Sequence, residues 1–106
     1  MAHACELETS VYLYLNKERV QFDKAKKDVG IPKSDFIWMD LMEGSPVLLT
    51  DRWSRFSHSS TSGDPTLATE EKGRIVFEAV VEALVRLVRE FKRRPRNEPV
   101  DLHPKT

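Results

Sequence analysis

Residues 69–93 contain the pattern that most constrains how this 106-residue chain folds. Thr69 is a good N-cap residue, and Glu70 and Glu71 fill the first turn, where negative charge suits the helix dipole. Polar side chains then recur every three or four residues in one narrow stripe, formed by Glu71, Arg74, Glu78, Glu82, Arg86, Arg89 and Arg93. The spacing predicts a helix of about 24 residues, roughly 36 Å long.

The other positions of this predicted helix are largely apolar. They are Ile75, Val76, Phe77, Val80, Val81, Leu84, Val85, Leu87, Val88 and Phe91. An apolar arc of this width exceeds the stripe of an ordinary surface helix. The β-branched members also lower the intrinsic helix propensity, so the helix depends on packing. We therefore expect it to be covered on more than one side.

The remaining sequence offers little that could cover the long helix. A short amphipathic helix is predicted near the N-terminus and ends at Asn16, with apolar positions at Leu7, Val11, Tyr14 and Leu15. A short strand is expected at 20–22, and the apolar run 36–39 fits either a strand or an ordered loop. No set of alternating strands is long enough for a full sheet. We expect a chain that oligomerises or that forms part of a larger domain.

Composition excludes several classes of protein. Lys and Arg number 17 and Asp and Glu number 17, so no net basic field exists to hold nucleic acid or an anionic membrane. Hydrophobic residues make up 40% of the chain, which is typical of a globular protein, and no apolar run could span a bilayer. The single cysteine permits no internal disulfide, and the first residues do not resemble a signal peptide. We predict a cytoplasmic protein without nucleic-acid or membrane partners.

Three segments contain residues that could take part in catalysis or ligand binding. His3 lies close in sequence to Glu6 and Glu8 at a helix start. Its imidazole and a neighbouring carboxylate could do acid–base or metal chemistry. The alternative is that these are polar residues of a chain terminus without a functional role. The loop 50–66 combines Trp53, Phe56 and His58 with many hydroxyl groups. These residues could line a site for a small polar ligand, or the loop could be a connector that caps the next helix.

The basic cluster 92–96 is the third of these segments. Positive charge is favoured at a helix C-terminus, so helix capping explains the cluster without a ligand, and DNA binding through it is the less favoured alternative. Zinc-ligand spacing, a P-loop and a nucleophile elbow do not occur in the sequence.

Two stretches together resemble the creatininase (creatinine amidohydrolase) family. Residues 3–10, His-Ala-Cys-Glu-Leu-Glu-Thr-Ser, resemble its H-A-G-x-x-E-T-S stretch, with Cys5 where the family most often has glycine. Residues 63–73, Gly-Asp-Pro-Thr-Leu-Ala-Thr-Glu-Glu-Lys-Gly, resemble its G-D-P-x-x-A-T-x-E-K-G stretch. The sequence of residues 78–84 is also similar to that of the family. The resemblance covers most of residues 3–91.

The resemblance implies an α/β fold in which helices flank a mostly parallel sheet. This chain would be the C-terminal part of that layered fold (residues 1–94), dominated by one long helix and with few strands of its own, followed by a flexible tail at 95–106. It implies hydrolysis of a C–N bond in a cyclic amide or formamide by an enzyme that uses zinc or manganese. On this pattern His3 matches the proton-shuttling histidine, Glu8 supports the site, and Trp53 and His58 lie near the substrate.

The resemblance also implies that most metal ligands are missing. The family takes them from a Glu-x-His segment and further acidic and histidine residues in its N-terminal half, whereas this chain begins two residues before His3. We expect no metal held by this chain alone and no hydrolysis without that half. The expected partners are a small amide substrate once the site is completed, and either a second copy or a complementing N-terminal half. The alternative is a non-catalytic interaction or assembly module derived from the family.

Overall fold

The computed structural model describes residues 2–31, 33–96 and 100–103, and two helices dominate it. Helix α1 spans Glu6–Asn16 and helix α2 spans Glu70–Arg93. Four short 3₁₀ turns lie in the remaining chain, at Lys17–Arg19, Phe22–Lys24, Trp53–Arg55 and Pro65–Leu67. Among the described residues no helix is long and apolar enough to cross a membrane.

The predicted start and end of α2 are confirmed. The Thr69 hydroxyl accepts a hydrogen bond from the backbone N–H of Lys72 at 3.2 Å, so it satisfies one of the donors that a helix start leaves free. Arg94 follows the last helical residue with extended backbone, directly before Pro95. The predicted end of α1 at Asn16 is confirmed as well.

Extended pairing is confined to two isolated antiparallel bridges in the described part of the chain. One joins His3 to Ser62 and the other joins Asp28 to Gly63. The predicted strand at 20–22 is wrong, because Phe22 begins a 3₁₀ turn and residues 20–21 only link it to the 3₁₀ turn before it. Residues 36–39 adopt a loop. A layered α/β arrangement is therefore not what these residues build by themselves, and helix accounts for the regular structure.

The two helices cross where their backbones come unusually close. A Cβ on Gly73 would lie 1.8 Å from the carbonyl oxygen of Ser10, so only glycine permits this approach. The buried Ser10 hydroxyl accepts a hydrogen bond from the backbone N–H of Thr69 at 3.1 Å, which ties α1 to the start of α2. Tyr14 and Phe77 extend the contact one turn further, with ring centroids 5.7 Å apart.

The buried core is small and lies around this crossing. Its members are small side chains: Ala2, Cys5, Ser10, Ser62, Pro65, Ala68 and Gly73. From Ile75 onward the large apolar residues of α2 are mostly exposed. The expectation that the chain supplies too little cover for its long helix is confirmed for the residues described. The predicted tail at 95–106 lies in part outside them, and 95–96 and 100–103 are exposed.

Candidate functional site

His3 is fixed by its backbone at the point where the chain enters α1. Its N–H donates to the carbonyl oxygen of Ser62 at 3.0 Å, and its own carbonyl accepts from the Ser62 N–H at 2.8 Å. Ala4 then takes the left-handed conformation, with φ 47°, which costs energy for a residue with a Cβ. This turn redirects the chain from the extended His3 into the helix that begins at Glu6.

The imidazole of His3 lies beside the carboxylate of Glu8 on the first turn of α1. The His3 Nδ1 and Glu8 Oε1 atoms are 4.0 Å apart, and both side chains are about half exposed, at 52% and 48%. The pair is therefore arranged as an acid–base group with a neighbouring countercharge.

An aromatic wall stands on the other side of the His3 ring. The Trp53 and His3 ring centroids are 5.0 Å apart with planes tilted by 40°. Phe56 packs against Trp53 in turn, with centroids 4.7 Å apart. The 3₁₀ turn that holds Trp53 is fixed from its start, since the Asp51 carboxylate accepts bonds from the Arg52 N–H at 2.7 Å and from Arg55 Nη1 at 3.2 Å.

The loop that follows this wall is held by Asp28. One carboxylate oxygen, Oδ2, accepts bonds from the backbone N–H groups of His58 and Ser59 at 2.8 and 2.9 Å. The hydroxyls of Ser59 and Ser57 donate to the same oxygen at 2.8 and 3.2 Å. The Ser59 N–H, then its hydroxyl, contribute most to holding the pKa of Asp28 below its ordinary value.

The same segment is held on both of its sides. Gly63 pairs with the backbone of Asp28, and Ser62 pairs with that of His3. Residues 57–63 thus link the backbone of Asp28 to that of His3. His58 belongs to this loop through its backbone, but its imidazole is exposed and makes no ring contact with His3 or Trp53.

Cys5 fits at this point because of the glycine opposite it. A Cβ on Gly63, whose φ is +138°, would lie 2.6 Å from the Cβ of Cys5. Cys5 itself has φ −101°, a conformation open to any residue, and is 1% exposed. The residue that replaces the family's usual glycine is therefore accommodated by the missing side chain at Gly63, and the neighbouring Ala4 adopts the left-handed turn.

A cleft of about 320 Å³ opens beside Glu8. Its lining residues are Ala4, Glu8, Thr9, Tyr12, Arg19 and Val20. Glu8 thus lies between the His3 ring and this cleft. Tyr12 and Arg19 were not predicted from the sequence. For Arg19 the reason is that only the 3₁₀ turn after α1 places it beside the first turns of that helix.

The residues at this site do not fit a metal centre. Among those that the structure describes, no group of three or more histidine, cysteine, aspartate or glutamate side chains could hold a metal ion. His3 and Glu8 supply two donors at most, and structural and catalytic zinc sites need at least three protein ligands. The structure therefore contains an acid–base pair and an aromatic wall without the ligand set of a two-metal site.

An imidazole beside a carboxylate is an arrangement that can transfer protons. The model of the creatininase family, described as creatinine amidohydrolase, matches residues 1–88 of this 106-residue chain. The chain therefore belongs to the creatininase family, whose members are amidohydrolases and generally depend on metal ions. Searches of curated proteins and of solved structures found no match.

Proposed function

We propose that this chain supplies the proton-transfer side of a creatininase-type amidohydrolase site, which cleaves the C–N bond of a cyclic amide or a formamide. The observation that supports this most directly is the juxtaposition of His3, Glu8 and Trp53 within the residues that match the family. His3 would take a proton from the attacking water and return it to the departing nitrogen. Glu8, 4.0 Å away, would stabilise the imidazolium that forms between these steps.

Trp53 contributes a flat apolar surface to the proposed site. A planar amide ring could stack on the indole with its scissile bond towards His3. Aromatic rings favour offset or tilted contacts with centroids about 4.5–7 Å apart. The His3 and Trp53 rings, at 5.0 Å, already make a contact of this kind. Both members of the acid–base pair are half exposed, whereas proton transfer is most effective where water is excluded. The proposed activity therefore requires further polypeptide over this face.

The metal ligands of the proposed enzyme must also come from outside the described residues. The family implies zinc or manganese, and the donor set here is too small to hold either. We infer that a second polypeptide, or sequence equivalent to the family's N-terminal half, supplies the Glu-x-His segment and the remaining ligands. The proton-transfer pair of this chain would then face a centre that it does not itself hold.

Complementation tests this proposal directly. The chain alone is expected to show neither stoichiometric zinc or manganese nor hydrolysis of creatinine or formamide, measured by metal analysis and by ammonia or amine release. Mixed with an N-terminal half from a family member, it is expected to gain turnover. His3→Ala should abolish that turnover, whereas His103→Ala, in the exposed segment 100–103, should leave it unchanged.

Three outcomes would contradict the proposal. The first is tight metal and turnover in the isolated chain. The second is turnover of the mixture that survives His3→Ala. The third is a mixture whose two polypeptides co-elute without any turnover, which would favour a non-catalytic interaction module instead. That second function is supported by the exposed apolar residues of α2, since a large uncovered apolar surface is typical of an interaction site.

A further inference from the structure

Residues 62 and 63 connect the backbone of His3 to that of Asp28. Ser62 exchanges backbone hydrogen bonds with His3, at 3.0 and 2.8 Å. The next residue, Gly63, exchanges backbone hydrogen bonds with Asp28, at 2.7 and 2.9 Å. Both pairings are antiparallel. Because Ser62 and Gly63 are adjacent, two pairs of hydrogen bonds and one peptide bond separate the backbone of His3 from that of Asp28.

The side chain of Asp28 restrains the loop that leads to these two residues. Its Oδ2 atom accepts hydrogen bonds from the N–H groups of His58 and Ser59 and from the Ser59 hydroxyl, at 2.8–2.9 Å. The Ser57 hydroxyl lies between this oxygen, at 3.2 Å, and the carbonyl oxygen of Thr61, at 2.8 Å. These contacts gather residues 57–61 around one carboxylate oxygen, directly before the pairing with His3 begins.

The segment that contains Asp28 also contacts the turn that holds Trp53. The N–H of Ser57 donates to the carbonyl oxygen of Trp53 at 2.9 Å, while the Ser57 hydroxyl contacts the Asp28 carboxylate. Gly30, two residues after Asp28, lies so close to Phe56 that a Cβ would overlap the Phe56 carbonyl oxygen. Residues 28–30 therefore support both the backbone segment and the aromatic turn beside the imidazole of the site.

We propose that Asp28 is a positioning residue for His3 and keeps its imidazole against Trp53 and beside Glu8. The carboxylate of Asp28 forms no hydrogen bond with these three described side chains, so it acts through residues 57–63. A displacement of about 1 Å caused far from the chemistry can lower a rate about 100-fold. The effect on turnover rests on the proposed function, whereas the position of the imidazole can be measured without it.

NMR spectroscopy of the full chain tests the position of the imidazole directly. The wild type is expected to show nuclear Overhauser contacts between the rings of His3 and Trp53, whose centroids are 5.0 Å apart. Asp28→Ala should lose these contacts. It should keep those between the rings of Tyr14 and Phe77, 5.7 Å apart, because that pair belongs to the crossing of α1 and α2. Asp28→Asn should be intermediate, since its amide oxygen can accept from the same donors.

Turnover of the chain mixed with an N-terminal half of a family member gives the second measurement. Asp28→Ala should lower kcat about 10- to 100-fold, and Asp28→Asn should restore part of the loss. Asp23→Ala is the matched control, because Asp23 is an exposed aspartate in the turn Phe22–Lys24 and does not bond to the loop 57–63. It should leave both the ring contacts and kcat unchanged.

The ring contacts decide between positioning and a general role in folding. Persistence of the His3–Trp53 contact in Asp28→Ala would overturn the proposal. Equal loss of the Tyr14–Phe77 contact would also overturn it, because Asp28 would then support the whole chain. If Asp28→Ala does not fold, Asp28→Asn decides by the same criterion, since it should weaken the first contact alone.

Turnover separates this proposal from the proposed function. A mixture that His3→Ala inactivates and Asp28→Ala does not would contradict the positioning role and leave the proposed function intact. Selective loss of the His3–Trp53 contact in Asp28→Ala, with no turnover in the wild-type mixture, would support the positioning role and contradict the proposed function.

Discussion

At the scale of single residues, Asp28 holds the loop beside the site although it contacts neither His3 nor Glu8. Four donors from Ser57, His58 and Ser59 converge on one of its oxygens, and its backbone pairs with Gly63. It thereby holds the loop from which Ser62 reaches His3. Because the donors favour the ionised carboxylate, the pKa of Asp28 is lowered in the folded chain, with the Ser59 N–H as the largest cause.

Replacing Asp28 by asparagine should destabilise the chain in a pH-dependent way. A carboxyl whose pKa is lower when folded stabilises the fold above its ordinary pKa and loses that contribution as pH falls through the folded value. We expect a constant difference in the free energy of unfolding between the wild type and Asp28→Asn at pH 5–7. The difference should shrink below about pH 4. Urea unfolding at several pH values measures it.

Asp23→Asn is the matched control for this experiment. Asp23 is an exposed aspartate in the turn Phe22–Lys24, five residues before Asp28. Its substitution should change the free energy of unfolding little at any pH. A pH-independent effect of Asp28→Asn would show that the hydrogen bonds act through shape alone and not through the charge of the carboxylate.

At the scale of elements, the crossing of α1 and α2 is the contact on which the arrangement depends. It is made of backbone and small side chains: Ser10 bonds to the N–H of Thr69, and Gly73 lets the two backbones approach. The ion pair between Lys72 Nζ and Glu6 Oε1, at 2.6 Å, joins the same two helix starts. The start of α1 holds His3 and Glu8 within 4.0 Å of each other, and this crossing ties that helix to α2.

Gly73→Ala should separate the helices and destabilise the chain. The new Cβ would lie 1.8 Å from the Ser10 carbonyl oxygen and 2.9 Å from the Val11 nitrogen, so backbone must move. Overpacking of this kind costs about 1–3 kcal/mol. It would exceed the gain of up to ~1 kcal/mol that alanine brings to a helix interior. Thermal and urea unfolding measure the net loss.

Gly44→Ala provides the control for that loss. Nothing lies within 4 Å of the position that its Cβ would take. Its free energy of unfolding should therefore stay within about 0.5 kcal/mol of the wild type. If Gly73→Ala were equally neutral or stabilising, the close crossing of α1 and α2 would not exist in solution.

The elements that local sequence determines were predicted, and those that depend on distant contacts were not. Thr69 and the glutamates after it specify the start of α2, and its periodicity specifies its length, so both are confirmed. The strand expected at 20–22 was wrong because a short apolar run contains no local signal that separates a strand from a turn.

The residues of the site likewise divide into those that the sequence identified and those that it did not. The family resemblance singled out His3 and Glu8, and the structure places them 4.0 Å apart. It also singled out Trp53, which contacts His3, and His58, whose ring does not. Asp28 was missed, because its donors lie about thirty residues further along the chain and no local pattern marks it.

At the scale of the whole molecule, surface area shows how incomplete the burial is. The chain exposes 9396 Å², whereas a compact protein of 12.2 kDa exposes roughly 6,100 Å². The excess is several times the area that one standard dimer contact covers on each partner. The exposed length of α2 and the face around His3 and Glu8 are therefore both open to the polypeptide that completes the proposed site.

The incomplete burial of surface also predicts how large the isolated chain is. Its Cα radius of gyration is 19.7 Å and its principal extents are 60 × 33 × 22 Å, whereas a compact chain of this length has a radius near 13 Å. Small-angle X-ray scattering on the monomeric fraction of the chain, separated by size-exclusion chromatography, should give a radius close to 20 Å. The end of α2 contributes to the difference, because α1 ends before it and its apolar residues are exposed. A radius near 13 Å would mean that the chain covers its own helix, and the surface assigned to partners would not be available to them.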